Sequence, residues 1–213
     1  MINLQNKNFD YDWLNNESVN VNHHSYLIKS VIDLLKDIDT SDVELLDVGC
    51  GNGVLTSEIS KIFKHTTGID LSGNGIEIAQ KLVTEKLNFE QISLDEMIEK
   101  KKKFKFISLF EVIEHQYLPD EFLDKIYQLL EDGGTFLVTT PYNGYIKNLI
   151  VSIFGKHDQH FDPLWRHGHI KFFSIKTLTW ILKKCNFEII KKTFSGRFYP
   201  ISCSMIFLTK KIK

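Results

Sequence analysis

Short apolar segments bounded by turn residues recur along the chain, and amphipathic stretches lie between them. "VELLDV" (43–48), "TTGID" (66–70), "NFEQI" (88–92), "FKFISLF" (104–110) and "GTFLVTT" (134–140) read as strands. Helical segments are predicted near 53–64, 74–86, 94–102 and 118–131, with a leading helix near 22–37. Such alternation implies crossover connections, and near-continuous apolar strands suit a parallel sheet covered on both faces. Two further strands, "FEIIKKT" (187–193) and "SCSMIFLT" (202–209), are joined by "FSGRFYP", which is too short for a helical crossover. They should therefore pair antiparallel. The expected fold class is α/β, a doubly wound, mostly parallel seven-stranded sheet with an antiparallel last strand.

A length of 213 residues suits one domain over 1–213. Only the stretch near 141–173 reads as irregular, with Pro141, Asn143, Gly144, Gly155, Pro163 and Gly168. An insertion near the carboxyl ends of strands is where an α/β sheet meets its substrate. Within it, "YIKNLIVSIFGK" (145–156) places Ile146, Leu149, Ile150, Ile153 and Phe154 at helical spacing. That helix could cover an acceptor pocket or dip into a membrane surface, so peripheral membrane contact stays open.

Charge is distributed unevenly. Residues 1–139 hold 13 Lys and Arg against 24 Asp and Glu, while 140–213 hold 13 against 3. An acidic body with a basic last third suggests a cationic ligand toward the first and an anionic one toward the second, unless the asymmetry is only a solvated surface. The run Lys100 to Lys103 reads as the solvated end of a helix. The polar, acidic start "MINLQNKNFDYDW" has no leader pattern, and no apolar run reaches the roughly 18 residues needed to span a bilayer. A cytoplasmic location is expected. Cys50, Cys185 and Cys203 are odd in number and lack C-x-x-C spacing, which argues against disulfides and a zinc knuckle.

The first strand runs into "LLDVGCGNGVLTSEI", giving Asp47-x-Gly49-x-Gly51-x-Gly53 and then a helix. Alternate glycines let the backbone turn sharply and let a ligand lie against it. A dinucleotide fingerprint counted from Gly49 needs glycine where Val54 stands, and no Gly-Lys-Ser/Thr follows for a phosphate loop. Asp47 suits an ammonium or other cation, and Asp70, ending the second strand in "GIDLS", suits a ribose diol. The pair describes a nucleoside with a cationic tail and no phosphate. A helix-capping Asp and a tight turn is the alternative.

"DVGCGNG", "GIDLS", "FEVIEH" and "GGTFLVTTP", in that order at successive strand ends, resemble the motif series of class I S-adenosylmethionine-dependent methyltransferases. The resemblance spans roughly residues 22–209 and implies a Rossmann-like methyltransferase fold with S-adenosylmethionine as cofactor. "EVIEH", "HIKFFS" and "GRFYPISCSMIF" look most like the ubiquinone-biosynthesis O-methyltransferase branch. The resemblance implies that Gly49, Cys50, Gly51 and Gly53 line the methionine and ribose, that Asp70 with Leu71 takes the ribose, and that Phe110 flanks the cofactor. Ser93 and Leu94 occupy the adenine position, where the family often has an acid; Asp95 nearby could substitute. Lys29 matches a basic position that reaches the methionine carboxylate, or is simply an exposed helix lysine.

For the chemistry, methyl transfer to a hydroxyl needs a proton acceptor, and His115 and His169 are the catalytic candidates, with His167 beside the latter. Three readings of Glu111-x-x-Glu114-His115 stay open. The residues cap and pack the following segment; or His115 is a general base oriented by a glutamate; or Glu111, Glu114 and His115 hold a divalent metal, with His167 or His169 added. A run of this type is similar to one in quinone O-methyltransferases and small-RNA 2′-O-methyltransferases. The expectation is methyl transfer to an oxygen of a small-molecule acceptor. An RNA methyltransferase or a non-catalytic cofactor-binding protein on the same fold are the alternatives, although nucleic acid is disfavoured by the lack of a recognition motif. No protein partner is implied.

Overall fold

A computed structural model describes residues 21–161 and 168–213. Strands β1 (Glu44–Val48), β2 (His65–Asp70), β3 (Leu87–Gln91), β4 (Phe104–Phe110), β5 (Leu130–Pro141), β6 (Phe187–Ser195) and β7 (Ser204–Lys211) form a seven-stranded sheet. Its order is β3-β2-β1-β4-β5-β7-β6. β7 runs antiparallel to both of its neighbours, and the other pairs are parallel. The register aligns the carboxyl ends: Val48 pairs with Ile69 and Leu109, and Phe110 pairs with Thr139. Whatever follows β1, β2 and β4 therefore emerges on one edge, together with the end of β5.

The helices are α1 (Val21–Leu35), α2 (Val54–Ser60), α3 (Gly73–Ala79), α4 (Leu94–Glu99), α5 (Pro119–Leu129), α6 (Tyr145–Ile153), α7 (His157–Phe161) and α8 (Ile175–Lys184). Both sheet faces are covered. Leu27, Val31, Leu34 and Leu35 follow helical spacing along α1 and pack with Phe106, Phe110, Leu137 and Ile206. On the other face Met97 of α4, Leu123 and Ile126 of α5 and Leu178 and Leu182 of α8 meet Ile107, Phe136 and Phe207. Each such buried side chain contributes roughly 1.5–3 kcal/mol, which outweighs the weak intrinsic preferences of these short helices.

Helix α8 is absent from the sequence reading. Ser174 caps it, with Thr177 completing a reciprocal capping box, and Leu178, Ile181 and Leu182 form its buried stripe. It supplies the crossover that parallel β5 and β6 strands require. Lysines at the end of α4 behave as expected: Lys100 pairs with Glu90, and Lys102 pairs with Glu44 at 2.6 Å. The helix at 145–153 forms, but none of its side chains is buried among the described residues. Among those residues no helix is long and apolar enough to cross a membrane.

Candidate functional site

The glycine loop is tied directly to the acid of the second strand. Gly49 and Cys50 donate their amides to the carbonyl of Ile69 at 2.8 and 3.1 Å, and the Gly51 amide donates to Asp70 Oδ2 at 2.8 Å. The other carboxylate oxygen accepts from the Ser72 amide at 2.8 Å. Asp70 is thus fixed at the mouth of the loop, with lone pairs left for a diol. Gly49 and Gly53 have φ of +74° and +75°; a Cβ there would lie 2.5 Å from Val112 Cγ2 and 2.6 Å from Phe89 Cζ. Glycine is required at both positions for backbone angle and for space.

Asp47 does not face the mouth of this loop. It is 2% exposed and accepts hydrogen bonds from Thr56 Oγ1 and, at 2.7 Å, from Ser108 Oγ, so it joins β1 to α2 and β4 behind the glycines. Burial raises its pKa to about 7 against the lowering effect of those two donors. Cys50 is also buried, and burial pushes its thiol far above the usual range.

The remaining cofactor candidates separate by environment. Leu71, 70% exposed beside Asp70, presents apolar surface at the carboxyl edge. Ser93 accepts from the Glu96 amide and forms the capping box of α4, while Leu94 packs in the core, so both side chains already have partners within the chain. Asp95 pairs with Lys125 at 2.7 Å. Phe110 ends β4, buried against α1. Lys29 is 83% exposed and pairs with Asp33 one helical turn on; its geometry is that of a surface lysine.

Beyond β4 the chain turns at Glu111, which has φ +54°. A non-glycine residue in the left-handed region costs of order 1–3 kcal/mol and persists only where surrounding contacts hold it. The Glu111 amide donates to Thr139 Oγ1 at 3.1 Å, Thr139 Oγ1 donates to Glu111 Oε1 at 2.7 Å, and Ser204 donates to Oε2 at 3.2 Å. Tyr26 lies behind Ser204 at 3.5 Å, its phenol pushed up to about 12 by burial and by Glu111. Burial raises Glu111 to about 7, opposed by its hydrogen bonds and by Lys147.

Glu114 is fully buried. Its Oε2 accepts from Thr140 Oγ1 at 3.0 Å, whereas Oε1 has no hydrogen-bond partner among the described residues. His169 Nε2 lies 3.9 Å from that oxygen, and the His115 and His169 rings meet edge to face at 4.9 Å. The amides of Ile170 and Lys171 donate to the Glu114 carbonyl at 3.0 and 2.9 Å, which fixes the end of the insertion against this turn. Burial and then Glu111 hold the Glu114 carboxyl well above the usual range; burial, His115, His160 and Lys147 lower His169 to about 4. Burial thus holds both partners of this contact toward their uncharged forms.

These features fit a divalent cation. Ligand atoms of Glu114, His115 and His169 lie within 4.8 Å of one another, and a buried carboxyl with an unpartnered oxygen beside a neutral imidazole is a donor set that a cation would satisfy. The expected trio is regrouped: Glu111 is engaged by Thr139 and Ser204, and His169 stands in its place. His167 lies outside the described residues. Thr139 and Thr140 of β5, Ser204 of β7 and Tyr26 of α1 were missed in the sequence because they come from three elements distant from this turn; only the polar pair ending the strand in "VTTP" hinted at them.

A family model described as a methyltransferase domain matches residues 21–192. Ubiquinone biosynthesis O-methyltransferase of Pelagibacter ubique is 30% identical over 158 residues, 73% of this chain and 65% of that protein. The mitochondrial protein of the same name from Rattus norvegicus is 28% identical over 75% of this chain and 48% of its own. The chain therefore spans about half to two thirds of the length of these curated relatives. In structure, magnesium protoporphyrin IX methyltransferase from Synechocystis, solved with bound SAH, superposes with a TM-score of 0.70 at 16% identity, covering 93% of this chain and 87% of that one. With most of its length matched, and with the glycine loop, the second-strand acid and the sheet order in place, the chain belongs to the methyltransferase domain family.

Proposed function

We propose that this protein transfers a methyl group from S-adenosylmethionine to an oxygen of a small-molecule acceptor in the cytoplasm. The observation that carries the reading is Asp70, locked by the Gly51 and Ser72 amides on the edge where Glu114, His115 and His169 also emerge. A nucleoside over Gly49, Gly51 and Gly53 with its ribose on Asp70 would point its sulfonium along this edge. The names of the similar ubiquinone-pathway proteins supply the oxygen acceptor.

In the reaction an acceptor oxygen attacks the methyl carbon in line, the carbon–sulfur bond breaks with its electron pair going to sulfur, and the hydroxyl proton must leave. Positioning and exclusion of water supply much of the rate. His115 is the proton acceptor in this reading, and the neutral ring of His169 packs on it and orients it. A divalent cation on Glu114, His115 and His169 would instead supply Lewis acidity toward the acceptor hydroxyl. Calorimetry with S-adenosylhomocysteine tests the cofactor half: saturable binding by the wild type and none by Asp70→Ala is the expected result. Labelled-methyl transfer to catechol tests the other half, and no transfer to any hydroxyl acceptor would overturn it.

A further inference from the structure

Helix α8 buries one face and leaves an aromatic ring on the other. Leu178, Ile181 and Leu182, with Cys185 at the helix end, pack into the core, while Trp180 on the outer side is 63% exposed. Tryptophan is highly buried on average, so an indole left this open is a departure. Lysines surround it. Lys176, Lys183 and Lys184 stand four, three and four positions away, all exposed, so helical spacing places them beside the ring. The Lys184 ammonium lies 5.6 Å from the ring centroid and pairs with Asp120 of α5 at 2.9 Å. From β6, Lys192 Nζ donates to Thr179 Oγ1 at 3.4 Å, which brings a further cation to the residue before Trp180. Among the described residues no carboxylate lies within 4.0 Å of Lys176, Lys183 or Lys192. An open indole thus sits among ammoniums that lack a countercharge.

The surroundings narrow what this face can meet. β6 is an edge strand, paired only with β7; its register shifts between Ile189 and Lys191, and exposed Lys191 and Lys192 follow. A bulge and edge lysines oppose addition of another strand, so a partner is met through the side chains of α8. A second copy placed face to face would set lysines against lysines, which like charge disfavours. Nucleic acid is drawn by an extended cationic field, whereas the formal net charge of this chain is −1 and the patch offers one ring for stacking. An acidic segment carrying an apolar side chain matches both features: its carboxylates meet the lysines and its apolar group covers the indole.

We infer that the outer face of α8, Trp180 with Lys176, Lys183 and Lys192, is a docking surface for a protein partner that presents such an acidic segment. None of these side chains takes part in the site described above, so the inference does not depend on the methyl-transfer reading.

The test uses the full chain and, as probe, a short fluorescein-labelled peptide of glutamates interrupted by leucines. Polyglutamate, a uridine oligonucleotide and phosphatidylglycerol vesicles are the comparisons. Fluorescence anisotropy is expected to show saturable peptide binding that weakens at high salt, with polyglutamate bound less tightly. Trp180→Ala should weaken the peptide at least ~10-fold, the loss expected of a central interface aromatic, and Trp180→Phe should restore part of it. Lys183→Glu should weaken it as well and reduce the salt dependence. That lysine is exposed, so if Trp180→Ala does not fold the charge variant still decides. No saturable peptide binding, or unchanged affinity in folded Trp180→Ala or in Lys183→Glu, would overturn the inference. Oligonucleotide or vesicle binding that is tighter than the peptide's and lost in Trp180→Ala would overturn it too, by assigning the face to nucleic acid or to a lipid surface.

Discussion

His169 Nε2 lies 3.9 Å from the buried Oε1 of Glu114, joining the end of the insertion to the turn that follows β4. Burial holds each group toward its uncharged form, and a cation would give the buried Glu114 oxygen the partner it lacks among the described residues. Manganese or zinc titration is expected to raise the Tm of the wild type and to leave Glu114→Gln and His169→Ala unmoved. Because burial raises the Glu114 carboxyl above the usual range and a cation binds its ionised form, affinity should weaken as the pH falls. Equal Tm shifts in all three proteins would remove the metal from the site.

Asp70 serves loop and ligand at once. Asp70→Asn keeps the shape but loses the charge that receives the Gly51 and Ser72 amides. Hydrogen bonds to a charged group contribute about 1.5–3 kcal/mol each, so S-adenosylhomocysteine affinity should fall at least ~10-fold by calorimetry. Unchanged affinity would place the ribose elsewhere.

The buried Asp47 makes stability fall with rising pH. Its folded pKa, about 7, exceeds the ordinary value of 3.8, so the folded state binds more protons between the two. The contribution is fully present below about pH 4 and lost as pH rises through 7, an effect of order 4 kcal/mol. Glu111, also raised to about 7, acts in the same direction. Urea unfolding from pH 4 to 8 should show this decline, and Asp47→Asn should flatten it. A parallel decline in the variant would mean that Asp47 does not cause it.

Gly49→Ala and Gly53→Ala each force a Cβ within 2.6 Å of a packed side chain at a positive φ. A loss of about 2 kcal/mol or more is expected from overpacking and backbone strain together. Gly133→Ala, also at positive φ but with nothing within 4 Å of the new Cβ, should cost less. Similar denaturation midpoints for all three would show that packing is not what selects glycine.

The exposed apolar residues of α6, Ile146, Leu149, Ile150 and Ile153, lie near the basic last third of the chain. Sedimentation with anionic vesicles is expected to carry the wild type down and Ile150→Glu much less. Neutral vesicles serve as the comparison, and equal binding to both would remove the electrostatic part.

Strand periodicity in "FKFISLF" and glycine spacing in "DVGCGNG" made the sheet and the nucleotide edge readable, because each is written in consecutive residues. The same local logic passed over α8, whose buried Leu178, Ile181 and Leu182 sit among threonine and lysine, and whose helix is fixed by the crossover between β5 and β6. It also aimed Asp47 at a ligand. Thr56 and Ser108, distant in sequence, turn that carboxylate into the interior.

The sequence by itself determined the order of the strands and of helices α1 to α6, the loop that must be glycine and the acid that follows it. Only the tertiary structure decided that His169 rather than Glu111 joins Glu114 and His115. The physical reason is that backbone conformation follows from neighbours along the chain, whereas which charged groups meet depends on register and packing. Ser204 and Thr139 reach Glu111 only because β7 and β5 bring their ends to the end of β4.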